Sequence, residues 1–216
     1  MTNIKHIKND IEAIQFLEGY CDFTDPNHVW IMKGIARNKD NPDNSIKFMR
    51  RMVLTCKEDI QEIYYDIKHQ MLAVHGVYRI YISLNARDAV KSLFNFQKRM
   101  VDINTGLFKN TPDALAMSKK IGSLWKTEME QSSNRGTKRF LLDIDNCECD
   151  EFVSDIADRV EEWTDKIHCV NKTVSGYAIV FNACDTREIV EYLKILGAEY
   201  DLHKDSMLFI DQFIVN

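Results

Sequence analysis

Residues 139 to 145 read RFLLDID, and the run continues as NCECDE to Glu151. Its alternation predicts a strand with Leu142 and Ile144 on one face and Asp143 and Asp145 on the other, because successive strand side chains point to opposite sides. Residues two apart on one face stand roughly 6.5–7 Å apart at Cα, so both carboxylates are aimed at one place. Like charges that close repel unless a counter-charge sits between them. Hard oxygen donors suit Mg²⁺ or Mn²⁺, and Mg²⁺ usually takes only one or two protein carboxylates, filling its shell with phosphate oxygens and water. The pair therefore points to phosphoryl chemistry. Taken alone, such a dipeptide is more commonly a strand end, here followed by an Asp145-Asn146 turn.

Outward from that strand, helix and strand patterns keep alternating. Downstream, DEFVSDIADRVEEW (150–163) has helical apolar spacing, and KIHCV (166–170) and TVSGYAIVF (173–181) read as strands. TREIVEYLKIL (186–196) follows as a helix, then strands around EYDLH (199–203) and SMLFIDQF (206–213). Gly176, entering its strand, lets a backbone or a phosphate approach closely. Upstream, residues 8–20 predict a helix on Ile11, Ile14, Phe16 and Leu17, and HVWIMKGIA (28–36) and SIKFMRRMVLT (45–55) predict strands around the polar loop RNKDNPDN. KEDIQEIYYDIKHQMLAV (57–74) reads as a helix, VYRIYISL (77–84) as a strand, and 85–103 and 111–129 as further helices, the last opened by Thr111-Pro112. EQSSNRGTK (130–138) is the candidate linker or mobile loop. Helices mixed with hairpins give an α+β class with mixed or antiparallel sheets.

The chain has 216 residues, 45% of them apolar, enough for a sizeable core. No apolar run is long enough to span a membrane and MTNIKHIKND lacks the profile of a signal peptide, so a soluble, cytoplasmic protein with no membrane partner is expected. The six cysteines show no repeated pair spacing, and Cys147-Glu148-Cys149 is too tight for a usual zinc knuckle, so free thiols are expected. Net charge is −5 and unevenly spread: residues 1–138 carry 21 Lys and Arg against 16 Asp and Glu, residues 139–216 carry 7 against 17. Two halves are predicted on that ground, a basic 1–138 and an acidic 139–216, in one packed unit. Arg37, Lys39, Lys47, Arg50 and Arg51 cluster around the two early strands, with Arg79 and Arg87 flanking YISLNA. With Trp30, Phe48, Tyr78 and Tyr81 interleaved they suit a nucleic-acid backbone with stacked bases; the ordinary alternative is core aromatics under a solvated basic face.

The order of the downstream motifs carries a resemblance. LLDID (141–145), SGY (175–177) about thirty residues on, and an aspartate beside an apolar strand about thirty further resemble the catalytic core of the archaeo-eukaryotic primase superfamily, the primase-polymerase-like proteins. The similarity covers roughly the last eighty residues; the RNKDNP loop and the basic strand after it also look similar to small phage and bacterial relatives. It implies an RRM-like mixed or antiparallel sheet flanked by helices, and Mg²⁺ or Mn²⁺ ions that align a nucleoside triphosphate with a 3′-hydroxyl. By the same resemblance Asp143, Asp145 and Asp205 are the catalytic metal ligands, with Asp211 as the alternative third. Ser175 and Gly176 are the implied nucleotide contacts, and Lys172, His203 and Lys204 are the neighbouring candidates, His203 or Lys204 being placed to supply the donor that the motif lacks. The motif histidine falls on Ala178, which implies weakened catalysis.

Three functions follow as expectations. One is metal-dependent nucleotidyl transfer in primer or nucleic-acid synthesis, with nucleic acid and nucleoside triphosphates as partners. Another is a catalytically lapsed nucleic-acid or nucleotide-binding protein, which Ala178 favours. The last is a phage-encoded interaction protein in the host cytoplasm, binding a host protein through its acidic half.

Overall fold

In chain order the elements begin β1 (Ile4–Lys5), α1 (Asp10–Tyr20), β2 (His28–Ala36), β3 (Met49–Leu54), α2 (Asp59–Met71), β4 (Gly76–Ser83) and β5 (Arg87–Asp88). Helices α3 (Ala89–Phe108), α4 (Pro112–Ser118) and α5 (Ile121–Met129) follow. The acidic half contributes β6 (Arg139–Asp145), α6 (Asp150–Glu161), β7 (Ile167–Lys172), β8 (Gly176–Asn182), α7 (Arg187–Leu196), β9 (Tyr200–His203) and β10 (Met207–Val215). This computed structural model describes residues 4–42, 49–73 and 75–215, so Lys47 and Phe48 lie outside the described residues. No described helix is long and apolar enough to cross a membrane.

The class is α+β, with two sheets. The first has the order β1-β7-β8-β6-β9, antiparallel throughout except for the parallel β1–β7 pair. From β6 to β9 the chain runs β-α-β-β-α-β, with β8 inserted between β6 and β7. The second sheet is antiparallel, β10-β4-β2-β3, with β5 pairing β2. The predicted boundary at residue 138 does not separate two bodies in space. Strand β1, from the basic half, pairs with β7, and β10, from the acidic half, pairs with β4.

Alternation explains the layering. Leu142 and Ile144 of β6, with Tyr177, Ile179 and Phe181 of β8, pack under Val153, Ile156 and Val160 of α6 and Ile189 and Leu193 of α7. Leu141, Cys169, Ala178 and Val180, from the opposite face, join a second core with α1, α2 and the second sheet, including Trp30, Tyr64 and Tyr78. Trp30 and Tyr78 are thus core residues, as their alternation allows.

Two local expectations change. Residues 111–129 form two short helices, broken around Lys119 and Lys120. The candidate linker 130–138 is packed: Asn134 is buried and donates to the Glu128 carbonyl at 2.7 Å, and the Gly136 N–H reaches the Ala86 carbonyl at 2.8 Å. Its polar composition satisfies buried backbone groups of its neighbours.

Candidate functional site

Directly paired residues of an antiparallel ladder share a face. Asp143 pairs with Ala178 of β8 on one side and Asp201 of β9 on the other; Asp145 pairs with Gly176, and Leu141 with His203. The pleat that buries Leu142 and Ile144 under the helices therefore presents Asp143, Asp145, Asp201 and His203 together on the opposite face. Asp143, Asp145 and Asp201 line a cavity of about 250 Å³ with Thr173, Ser175 and Ala178. The second sheet supplies the facing wall: Arg37 and Lys39 after β2, Arg79 and Tyr81 of β4, and Met207 and Phe209 of β10. Carboxylates thus face cations across one cleft.

Electrostatics reflect the crowding. Burial raises the Asp143 pKa, the negative charges of Asp145 and Asp201 raise it further, and His203 and Arg37 pull the other way. On the cationic wall, Arg37 Nη1 donates to the Tyr81 hydroxyl at 3.4 Å, and Arg79 Nη2 pairs with Asp40 Oδ1 at 2.6 Å. Arg79 Nε and Asp40 Oδ2 are buried with no hydrogen-bond partner among the described residues. Among the described residues no group of three or more His, Cys, Asp and Glu side chains is arranged to hold an ion. Asp143, Asp145 and Asp201 nonetheless share one face, and carboxylate oxygens are the donor type that hard divalent cations take.

Several candidate residues lie elsewhere. Asp205 is locked against Arg87, Oδ2 to Nη1 at 2.9 Å and Oδ1 to Nη2 at 3.0 Å, with side chains 9% and 3% exposed. Asn85 Nδ2 joins Asp205 to the Arg139 carbonyl, at the far end of β6, roughly 13 Å along the strand from Asp143. Asp211 is carried away by a bulge in β10 between Phe209 and Asp211. That extra residue reverses the alternation: Phe209 pairs with Tyr81 and lines the cleft, while Asp211 pairs with Ile80 and receives the Tyr64 hydroxyl at 2.7 Å and Lys68 Nζ at 3.5 Å. Lys172 pairs with Tyr177 on the helix-covered face, its ammonium 4.0 Å from that ring, and Lys204 sits 5.9 Å from the Phe140 ring.

The basic cluster is likewise divided. Arg37, Lys39 and Arg79 line the cleft, whereas Arg87 holds Asp205 and Arg51 pairs with Glu130 at 2.7 Å, pinning the end of α5 to β3. Arg50 is exposed on β3. Gly176 is required by backbone approach: a Cβ there would meet the Ile144 carbonyl oxygen at 1.8 Å, so it makes room for β6.

Asp201 was missed in the sequence although a signal exists. In YDLH, Asp201 and His203 alternate with Tyr200 and Leu202 as the aspartates of LDID alternate with Leu142 and Ile144. No family model, curated protein or solved structure matches the chain.

Proposed function

We propose that the cleft binds a nucleoside triphosphate with Mg²⁺ or Mn²⁺ and supports nucleotidyl transfer of the primase-polymerase-like kind. One observation carries the reading: Asp143, Asp145 and Asp201 share one face of a sheet and face Arg37, Lys39 and Arg79 across a single cleft. The β-α-β-β-α-β order with β8 between β6 and β7 supports an RRM-like core. Asp201 takes the third-carboxylate role that sequence order assigns to Asp205.

In this reading Asp143, Asp145 and Asp201 hold the metal. The metal would supply charge neutralisation at the phosphates and polarise the phosphorus centre. Arg37, Lys39 and Arg79 bind and orient the phosphate oxygens by charge-assisted hydrogen bonds, while Thr173 and Ser175 offer neutral donors at the same cleft. His203, beside Asp143 on the carboxylate face, offers a ring nitrogen to the phosphates. Nucleic acid runs along the cationic wall, with Tyr81 and Phe209 as stacking surfaces.

Ala178 favours a second reading, nucleotide binding without efficient turnover, because a methyl group neither donates a hydrogen bond nor carries charge. Calorimetric titration with a nucleoside triphosphate, with and without Mn²⁺, tests the site. Binding is expected to require Mn²⁺ and to be lost in Asp143→Asn and Asp201→Asn but kept in Asp211→Asn. Metal-independent binding, or equal loss in all three, overturns it. A primer-extension assay on the same preparation separates turnover from binding.

A further inference from the structure

The segment RNKDN, residues 37–41, carries Arg37 and Lys39 into the cleft although it lies past the end of β2. A segment outside the ladder keeps one conformation only where other contacts offset the entropy of ordering it. Asn41 supplies them. Its side chain is buried, and the amide meets the backbone of β4: Oδ1 accepts from the Val77 N–H at 2.7 Å, and Nδ2 donates to the Val77 carbonyl at 2.9 Å. Nδ2 also donates to the Arg37 carbonyl at 3.0 Å.

These bonds continue a ladder that the main chain has left. The last pair between β2 and β4 is Ala36 with Tyr78, so Val77 is the next residue of β4, and the Asn41 amide takes the place of a strand opposite it. The backbone N–H groups of Asp40 and Asn41 also reach the Arg37 carbonyl, at 3.0 and 3.1 Å, and close residues 37–41 into a turn. Within that turn Asp40 holds Arg79 while Arg37 and Lys39 line the cleft. The residue type matters, because an amide both donates and accepts. A carboxylate of the same shape only accepts, and would set a charge against the Arg37 and Val77 carbonyl oxygens.

We infer that Asn41 is a positioning residue for the cleft: by completing the ladder at Val77 it fixes the turn of residues 37–41, and with it Arg37 and Lys39, in the direction of the phosphates before a ligand arrives. The inference rests on the phosphate-binding reading above and adds the device that preorganises it. A turn held in advance pays no ordering cost on binding. Loosening it weakens the cationic wall alone, since Asp143, Asp145 and Asp201 stand on the other sheet.

The test is calorimetry on the full chain with Mn²⁺ alone, with Mn²⁺ and inorganic tripolyphosphate, and with Mn²⁺ and a non-hydrolysable adenosine triphosphate analogue. Asn41→Ala, which adds no charge, is expected to bind both phosphate ligands at least about tenfold more weakly than wild type, and Mn²⁺ alone equally well. Asn41→Asp, which keeps the shape, serves as the second variant should the alanine disturb folding. Arg37→Ala is expected to cost less affinity in the Asn41→Ala background than in wild type, because both changes remove the same contact. Unchanged phosphate affinity in both variants, Mn²⁺ binding lost with phosphate binding in both, or fully additive losses with Arg37→Ala overturns the inference. Wild type that binds tripolyphosphate but not the nucleotide analogue leaves the role of Asn41 standing and overturns the nucleotide reading. No phosphate binding by wild type overturns both.

Discussion

Asp143 carries like-charged neighbours on its own strand and on β9, and it is partly withdrawn from water, so its ionised form is strained in the absence of a cation. Asp143→Asn removes that repulsion. In chelator, the variant is expected to melt above wild type in a thermal scan, while Mn²⁺ raises the wild-type midpoint and leaves the variant unmoved. A variant that melts lower in chelator would show that the carboxylate is held by contacts inside the fold. Gly176 sets the opposite case, because a methyl group 1.8 Å from the Ile144 carbonyl oxygen must force β6 and β8 apart. Gly176→Ala is expected to cost at least about 2 kcal/mol in urea unfolding. An unchanged urea midpoint would mean that the two strands can separate there freely.

Pairs between elements keep the site in register. The turn from β9 into β10 is fastened by Arg87 and Asp205, nearly closed to solvent, and removing one member of such a pair strands the other. Arg87→Ala is expected to destabilise by roughly 3–5 kcal/mol, and Arg87→Ala with Asp205→Ala by less than the two single changes added. Additive losses would show that the pair does not couple. On β7, His168 Nε2 lies 2.7 Å from Asn182 Oδ1 of β8, and burial lowers the histidine pKa. Because the folded state binds that proton more weakly than the unfolded chain, the contribution of His168 is present above the unfolded pKa and lost as pH falls through it. Thermal stability is expected to decline below about pH 6.5, and His168→Gln to flatten that part of the profile. An identical slope in the variant would assign the decline to other groups.

At the scale of the whole molecule the two sheets are tied together by exchanged strands and by Arg139. Its guanidinium lies 4.7 Å from the Tyr20 ring and 5.1 Å from the Trp30 ring, joining the start of β6 to α1 and β2. The cleft exists only where the sheets meet, so its two walls should appear and vanish together. Urea unfolding is expected to be a single transition, with far-ultraviolet circular dichroism coinciding with the tryptophan fluorescence of a Trp163→Phe variant, which keeps Trp30 and Trp125, both in the first half, as reporters. Separated transitions would show that the halves fold as independent units despite β1 and β10.

The sequence by itself determined the strand at RFLLDID, the shared face of Asp143 and Asp145, the helix covering Leu142 and Ile144, and the α+β class. Those follow from alternation and helical spacing, which act over a few residues and are written in the order of the side chains. It also singled out Arg37, Lys39 and Arg79 as part of a basic cluster and Ser175 as a nucleotide contact, while their meeting in one cleft is a product of the tertiary structure. Only the tertiary structure decided the third carboxylate, because Asp201, Asp205 and Asp211 all lie near strands and differ in register. A ladder sets Asp201 beside Asp143, a buried arginine claims Asp205, and a bulge turns Asp211 toward α2. Register, bulges and long-range ion pairs depend on which strands become neighbours, and β1 reaching β7 or β10 reaching β4 is settled by packing across more than a hundred residues of chain.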